Sequence, residues 1–178
     1  MRRKAHFFLA FALSPLIRRS PIVIRTGTAR VWCDDLHVWW FVFTRYIPAL
    51  FVLSALWEIA QLPLYSLWWE AGPISIAYAV FHCTLGDVLI GVGALLAALI
   101  VTRSGALRHW HWFLVGTVTV TISLSYTAFS EWINTTVRSV WAYSEWMPLT
   151  PIVTIGVSPL LQWVVVPLTA LGLSRKLN

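Results

Sequence analysis

The fold of this chain is decided by residues 74–101, ISIAYAVFHCTLGDVLIGVGALLAALIV. A bilayer core of about 30 Å needs about 20 apolar residues in a helix that rises about 1.5 Å per residue, so this stretch is long enough to cross a membrane. It also carries His82, Cys83 and Asp87. An ionisable group inside a spanning helix costs about 2.5–3.5 kcal/mol on insertion scales, so we expect Asp87 to have polar neighbours.

The composition of the whole chain is that of a membrane protein. Of its 178 residues, 58% are hydrophobic and 11% are charged, whereas an ordinary soluble domain has about 25% charged residues. The net charge of +6 does not indicate nucleic-acid binding, because eight of the thirteen basic residues precede Tyr46 and most others lie at the ends of apolar runs. Basic residues at these positions and twelve Trp clustered beside apolar runs are typical of membrane topology signals and interfacial belts.

The hydropathy pattern predicts an all-α integral membrane protein, a bundle of four transmembrane helices. The predicted spans are residues 46–66, 75–101, 111–131 and 152–173, with a short amphipathic helix between the third and the fourth. Residues 1–45 are predicted to be a basic and apolar leader that lies on the cytoplasmic membrane surface or is poorly ordered, and a cleaved signal peptide is the alternative. Residues 175–178 are predicted to be a basic cytoplasmic tail.

The basic residues also predict the orientation in the membrane. They occur in the leader, in the linker with Arg103 and Arg108, and in the tail with Arg175 and Lys176, whereas the two other loops contain only Arg138. Loops rich in Lys and Arg stay in the cytoplasm. We therefore expect a multi-pass protein of the bacterial inner membrane with its N-terminus and its C-terminus in the cytoplasm.

Nearly all polar residues of the predicted spans fall in the outer half of the membrane in this orientation. Counted from the outer end of each helix, Glu58 and His82 lie about 10 Å deep and Asp87 about 18 Å deep. The inner half of the bundle is almost without polar residues. The sequence therefore predicts a polar pocket that opens toward the outer face.

Three ionisable residues are the candidates for chemistry in that pocket. Glu58 and His82 are predicted to be a catalytic acid/base pair, because a buried carboxyl group and a nearby histidine can exchange a proton. Asp87 is predicted to orient this pair or, with His82 and Glu58, to bind a divalent metal ion as a cofactor. His82 and Asp87 are five residues apart and point in different directions on a regular helix, so such a metal site would need a break in that helix.

Further residues are predicted to bind a substrate in the pocket. Glu131 and Arg138 would form its rim, and the Arg138 guanidinium would hold a phosphate. The complete set of predicted substrate-binding residues is Gln61, Tyr126, Glu131, Asn134, Arg138 and Gln162.

Three functions follow from these residues. The first is a membrane-embedded hydrolase or transferase that acts on a lipid or lipid-linked substrate from the outer leaflet of the bilayer. The second is a small proton- or ion-coupled transporter that uses the same residues. The third is a structural or assembly subunit without catalysis, in which the polar side chains only bond to one another and fix the helix packing.

Several stretches resemble a recurring pattern in small multi-pass proteins of bacterial inner membranes. They are residues 57–65, 81–87 and 130–134, then Trp141 with Tyr143, and Pro159 with Gln162 and Trp163. This resemblance covers about residues 46–173, without the leader, and implies an inner-membrane location.

A second similarity is to VanZ-like membrane proteins, whose spans carry a Glu-x-x-Gln motif followed by a buried Asp and a glycine-rich end. Glu58, Gln61, Asp87, Gly91 and Gly93 stand in that order here. The interval from Gln61 to Asp87 is longer than in that family, and its leading lysine and histidine signature is absent. The similarity implies work on the cell envelope or its lipids.

Overall fold

The computed structural model of the protein describes residues 31–176, so the predictions for residues 1–30 of the leader and for residues 177–178 of the tail lie outside the described residues. Four long helices confirm the predicted all-α bundle, and each is long and apolar enough to cross a membrane. They are α1 (Leu36–Leu64), α2 (Pro73–Val101), α3 (Trp112–Val137) and α4 (Val157–Lys176). Short helical turns flank them at Trp32–Asp34, Leu67–Glu70 and Leu107–His109.

α1 begins at Leu36 and not at the predicted boundary of Tyr46. The Asp35 carboxylate caps it by accepting a hydrogen bond of 3.1 Å from the backbone N–H of His37, as residues of this type commonly do at helix starts. A π-helical turn at Val42–Tyr46 lies within the helix. Residues 36–45 thus belong to the first spanning helix and not to the leader, because the side chains of Val38, Phe41 and Val42 are buried in the bundle core.

The connection between α3 and α4 also differs from the prediction. α3 continues to Val137 through a π-helical turn, and residues 138–156 then form an irregular loop in place of the predicted amphipathic helix. Pro148 and Pro151 disfavour a helix there. The loop backbone bonds instead to the end of α1, since the Ser144 N–H donates to the Leu64 carbonyl at 2.9 Å.

The four helices form a ring in which each packs against two neighbours. α2 lies between α1 and α3, and α4 closes the ring between α3 and α1. Residues 65–72 and 138–156 lie together at one end of the ring, which we call the loop end. The opposite end, the terminal end, holds the start of α1 and the linker between α2 and α3, which are joined where the Leu107 N–H donates to Asp35 at 3.1 Å.

The two halves of the bundle bury different kinds of side chain. The half toward the terminal end has an apolar core to which all four helices contribute. Gly91 allows α1 and α2 to approach closely here, because a Cβ at this position would lie 2.5 Å from a methyl carbon of Leu50. The half toward the loop end buries the carboxyl and amide side chains of Gln61, Asp87, Glu131 and Gln162. The predicted segregation of these polar residues into one half of the bundle is therefore present.

Candidate functional site

Two carboxyl groups and two amides meet on the axis of the bundle. Gln162 of α4 donates through Nε2 to Asp87 of α2 at 2.6 Å and reaches Glu58 of α1 at 3.4 Å. Gln61 of α1 donates through Nε2 to Glu58 at 2.9 Å and to the Gln162 carbonyl oxygen at 3.4 Å. α2 and α4 face each other across the ring, so these bonds cross its centre. We call these four residues the carboxyl–amide cluster.

The local sequence explains how the cluster is built. Glu58 and Gln61 are three residues apart on α1 and therefore share a helix face. Ser158 lies one turn before Gln162 on α4, and its hydroxyl donates to the Gln61 carbonyl oxygen at 2.9 Å. Each amide thus accepts one hydrogen bond and donates two, so the network fixes the orientation of both amides.

The carboxyl–amide cluster lines the inner end of a cavity of about 1420 Å³ that reaches the loop end. Five of the seven acidic residues of the chain line this cavity: Glu58, Glu70, Asp87, Glu131 and Glu145. Glu70 and Glu145 are exposed in the two loops, whereas Asp87 and Glu131 are 9% and 7% exposed. No Lys or Arg among residues 31–176 lines it. We call it the acidic cavity.

Aromatic side chains make up much of the remaining wall: Tyr65, Tyr78, Tyr126, Trp141, Tyr143 and Trp163. Tyr65 and Tyr143 lie in the loops outside the spanning segments. Burial and, next, the nearby Glu131 carboxylate raise the pKa of Tyr65, and burial and the hydrogen bond to Glu131 raise the pKa of Tyr143. Both phenols therefore stay neutral.

A hydrogen bond between α3 and the loop holds residues 138–156 over the bundle. The Tyr143 hydroxyl donates to the Glu131 carboxylate. Gly156 makes room for this arrangement, because a Cβ there would lie 2.9 Å from the Met147 sulfur and 3.1 Å from the Tyr143 ring.

His82 does not join the carboxyl–amide cluster. It lines the acidic cavity, but it is exposed and stacks on Tyr78 with ring centroids 5.7 Å apart. In the described part of the chain it makes no hydrogen bond to Glu58 or Asp87, so the structure does not form the predicted acid/base pair. The reason is the helical geometry of α2, which is unbroken between His82 and Asp87 and turns the two side chains to different faces.

The predicted metal site is not assembled either. Within residues 31–176 no group of three or more His, Cys, Asp and Glu side chains is arranged to hold a metal ion. Glu58 and Asp87 both accept from the Gln162 amide, whereas the third predicted ligand, His82, stacks on Tyr78 in another part of the cavity wall. The donors around the two carboxyl groups are amide N–H groups, which do not bind metal ions.

The six predicted substrate-binding residues divide into two groups. Four of them, Gln61, Tyr126, Glu131 and Gln162, line the acidic cavity. Asn134 does not, because its amide donates at 2.8 Å to the Ser130 carbonyl of its own helix. Arg138 is exposed in the loop just after α3 and is also absent from the cavity wall.

One buried hydroxyl in the cavity wall was not predicted from the sequence. Thr127 of α3 is 6% exposed, lines the acidic cavity and has no hydrogen-bond partner among the described residues. Thr119, Thr121, Ser123 and Ser125 of the same helix each donate to the carbonyl four residues earlier. No sequence signal distinguishes Thr127 from these neighbours.

Comparisons with protein-family models, curated protein sequences and solved structures give no match to this chain. Fold and site together define a four-helix membrane protein with an acidic, aromatic cavity at one end of its bundle.

Proposed function

We propose that this protein is a small proton-coupled carrier for organic cations and that the acidic cavity is its binding site. The observation that carries the proposal is the composition of the cavity wall, which has five carboxyl groups and, within the described chain, no Lys or Arg. A cavity lined by one sign of charge concentrates ligands of the opposite sign. Such a wall attracts an ammonium group and repels a phosphate.

The aromatic side chains support an organic cation over a metal ion. Cations are attracted to the faces of Trp and Tyr rings, and quaternary ammonium groups are commonly bound in this way. Trp141, Trp163 and four Tyr line the same space as the carboxyl groups. The buried Thr127 hydroxyl, which lacks a partner in the described chain, adds an oxygen that a bound cation can face.

The carboxyl–amide cluster supports the coupling to protons. Glu58 and Asp87 both accept from the Gln162 amide, so the two acids lie close together on the bundle axis. Like charges that share a buried site hold a proton between them. A bound cation supplies the positive charge that the proton otherwise supplies between the two carboxyl groups. Binding of the cation and loss of the proton are therefore linked.

The hydrolase or transferase hypothesis has less support from the same geometry. It assigned the acid/base role to Glu58 with His82 and the phosphate to Arg138. His82 makes no bond to Glu58, and Arg138 is not on the cavity wall. The transporter hypothesis requires neither residue.

The location that we propose is the bacterial inner membrane, with the acidic cavity open to the outer face. The described basic residues support this orientation, because Arg103, Arg108, Arg175 and Lys176 lie toward the terminal end and only Arg138 follows α3 at the loop end. The exposed apolar side chains of all four helices support the bilayer as their partner.

Uptake of tetramethylammonium into proteoliposomes tests the proposal. With an acidic lumen, we expect the wild-type protein to accumulate tetramethylammonium and the lumen to become more alkaline as protons leave. Glu58→Gln should abolish both signals, while the control Asn134→Ala, which alters a side chain outside the cavity, should retain them. Uptake no faster than in protein-free liposomes would contradict the proposal.

A further inference from the structure

An apolar groove runs along the outside of the bundle between α1 and α2. Its volume is about 570 Å³, and its walls are formed by Phe51, Ala55 and Ile59 of α1 and by Ile76, Ala77 and Phe81 of α2. The groove extends along α1 from Phe51 to Leu62, a separation of eleven residues or about 16 Å at a rise of about 1.5 Å per residue. A groove of this length and polarity fits one extended alkyl chain.

The groove adjoins the acidic cavity. Leu62 and Val80 belong to the walls of both spaces, so two side chains form the boundary between the lipid-facing groove and the carboxyl-lined interior. A single molecule with an alkyl chain in the groove therefore has its polar end beside the acidic cavity. An alkyl chain of ordinary bilayer lipid fits the groove equally well, so selection depends on the polar end.

We propose that the ligand of this site is an amphipathic amine, with its ammonium group in the acidic cavity and its alkyl chain in the groove between α1 and α2. The inference rests on the proposed function and adds the ligand class and the route of access, which runs from the bilayer past Leu62 and Val80. Charge complementarity identifies the polar end: the cavity has five carboxyl groups, and no Lys or Arg of the described chain lines it. A phospholipid headgroup with a net negative charge is disfavoured there.

Calorimetric titration of the full-length protein in lipid nanodiscs tests the inference with two probes that share a headgroup, tetramethylammonium and decyltrimethylammonium. Titrations into empty nanodiscs correct for partition of the longer probe. We expect Ala77→Trp, which fills the groove, to weaken decyltrimethylammonium binding about tenfold and to leave tetramethylammonium binding unchanged. The matched control is Leu89→Trp on the same helix, at a position that is 75% exposed and outside the groove; it should change neither affinity.

The outcomes separate the two proposals. If tetramethylammonium does not bind to the wild-type protein, the cation site itself is wrong and the inference falls with it. If tetramethylammonium binds but Ala77→Trp and Leu89→Trp have the same effect on decyltrimethylammonium, only the groove is wrong. Retained tetramethylammonium binding shows that each variant is folded, and Ala55→Phe narrows the groove from α1 if Ala77→Trp does not fold.

Discussion

Replacing Gln162 by leucine removes the side chain that joins three helices at the bundle axis. Gln162 is 2% exposed and donates to Asp87 at 2.6 Å, with longer contacts of 3.4 Å to Glu58 and Gln61. Leucine has a similar size, so the variant removes hydrogen bonds while leaving little empty volume. We expect Gln162→Leu to destabilise the protein and to weaken cation binding, because the two carboxyl groups lose their shared donor.

The expected loss of stability is set by the bond to Asp87. Hydrogen bonds to charged groups contribute about 1.5–3 kcal/mol, whereas interhelical hydrogen bonds in membrane proteins average about 0.6 kcal/mol and reach about 1.7 kcal/mol. The short distance and the burial of both partners place this bond at the upper end of the membrane range. We therefore expect the free energy of unfolding to fall by about 2 kcal/mol.

Reversible unfolding in mixed micelles measures this change, with Asn134→Leu as the matched control. Asn134 also carries an amide, but its partners belong to Ser130 in its own helix, so its loss should cost less than about 1 kcal/mol. A double-mutant cycle with Asp87→Asn should give a coupling energy of about 1 kcal/mol or more. If Gln162→Leu is as stable as the wild type, the carboxyl–amide cluster does not hold the bundle together as described.

Three further variants test other parts of the structure. Gly91→Val should lower stability by about 1–3 kcal/mol in a thermal unfolding assay, because its side chain has to displace the facing leucine of α1; unchanged stability would contradict the close approach of α1 and α2. Tyr143→Phe removes the hydroxyl donor of Glu131, so residues 138–156 should become more sensitive to protease, and equal cleavage of wild type and variant would oppose this role of the bond. Two single-cysteine proteins test the orientation, one with Ile152→Cys and one with Cys33 as its only cysteine. A membrane-impermeant thiol reagent added to intact cells should label the first and not the second. The reverse pattern would contradict the proposed orientation.

The number of spans and the polar half of the bundle were predictable from the sequence. Both depend on local quantities, namely the length of apolar runs and the distance of each polar residue from the helix end at about 1.5 Å per residue. The shared face of Glu58 and Gln61 follows from their spacing in the same way. The extension of α1 to Leu36 was harder to predict from the sequence, because residues 36–45 become helical through burial in a core that only the folded bundle contains.

The membership of the site was predictable only in part. On a regular helix the His82 and Asp87 side chains are separated by about 140° around the helix axis, which disfavours a common site. α2 is regular between these two residues. Tyr143 and Trp141 reach the cavity through a loop without helical periodicity, whose position depends on backbone bonds to residues about 80 positions away, such as that from Ser144 to Leu64. No periodic pattern specifies such long-range bonds, so these residues could be noted in the sequence but not assigned to the cavity wall.

The most direct test of the central claim counts the protons released when a cation binds. The purified protein is titrated with tetramethylammonium by calorimetry in two buffers of different ionisation enthalpy, and the difference between the observed heats gives the number of protons. We predict that the wild-type protein releases up to one proton for each cation, because the cation displaces the proton that Glu58 and Asp87 share. In Asp87→Asn the shared proton is absent, so binding should be weaker and should release none. Cation binding without proton release by the wild type, or no binding at all, would contradict the account.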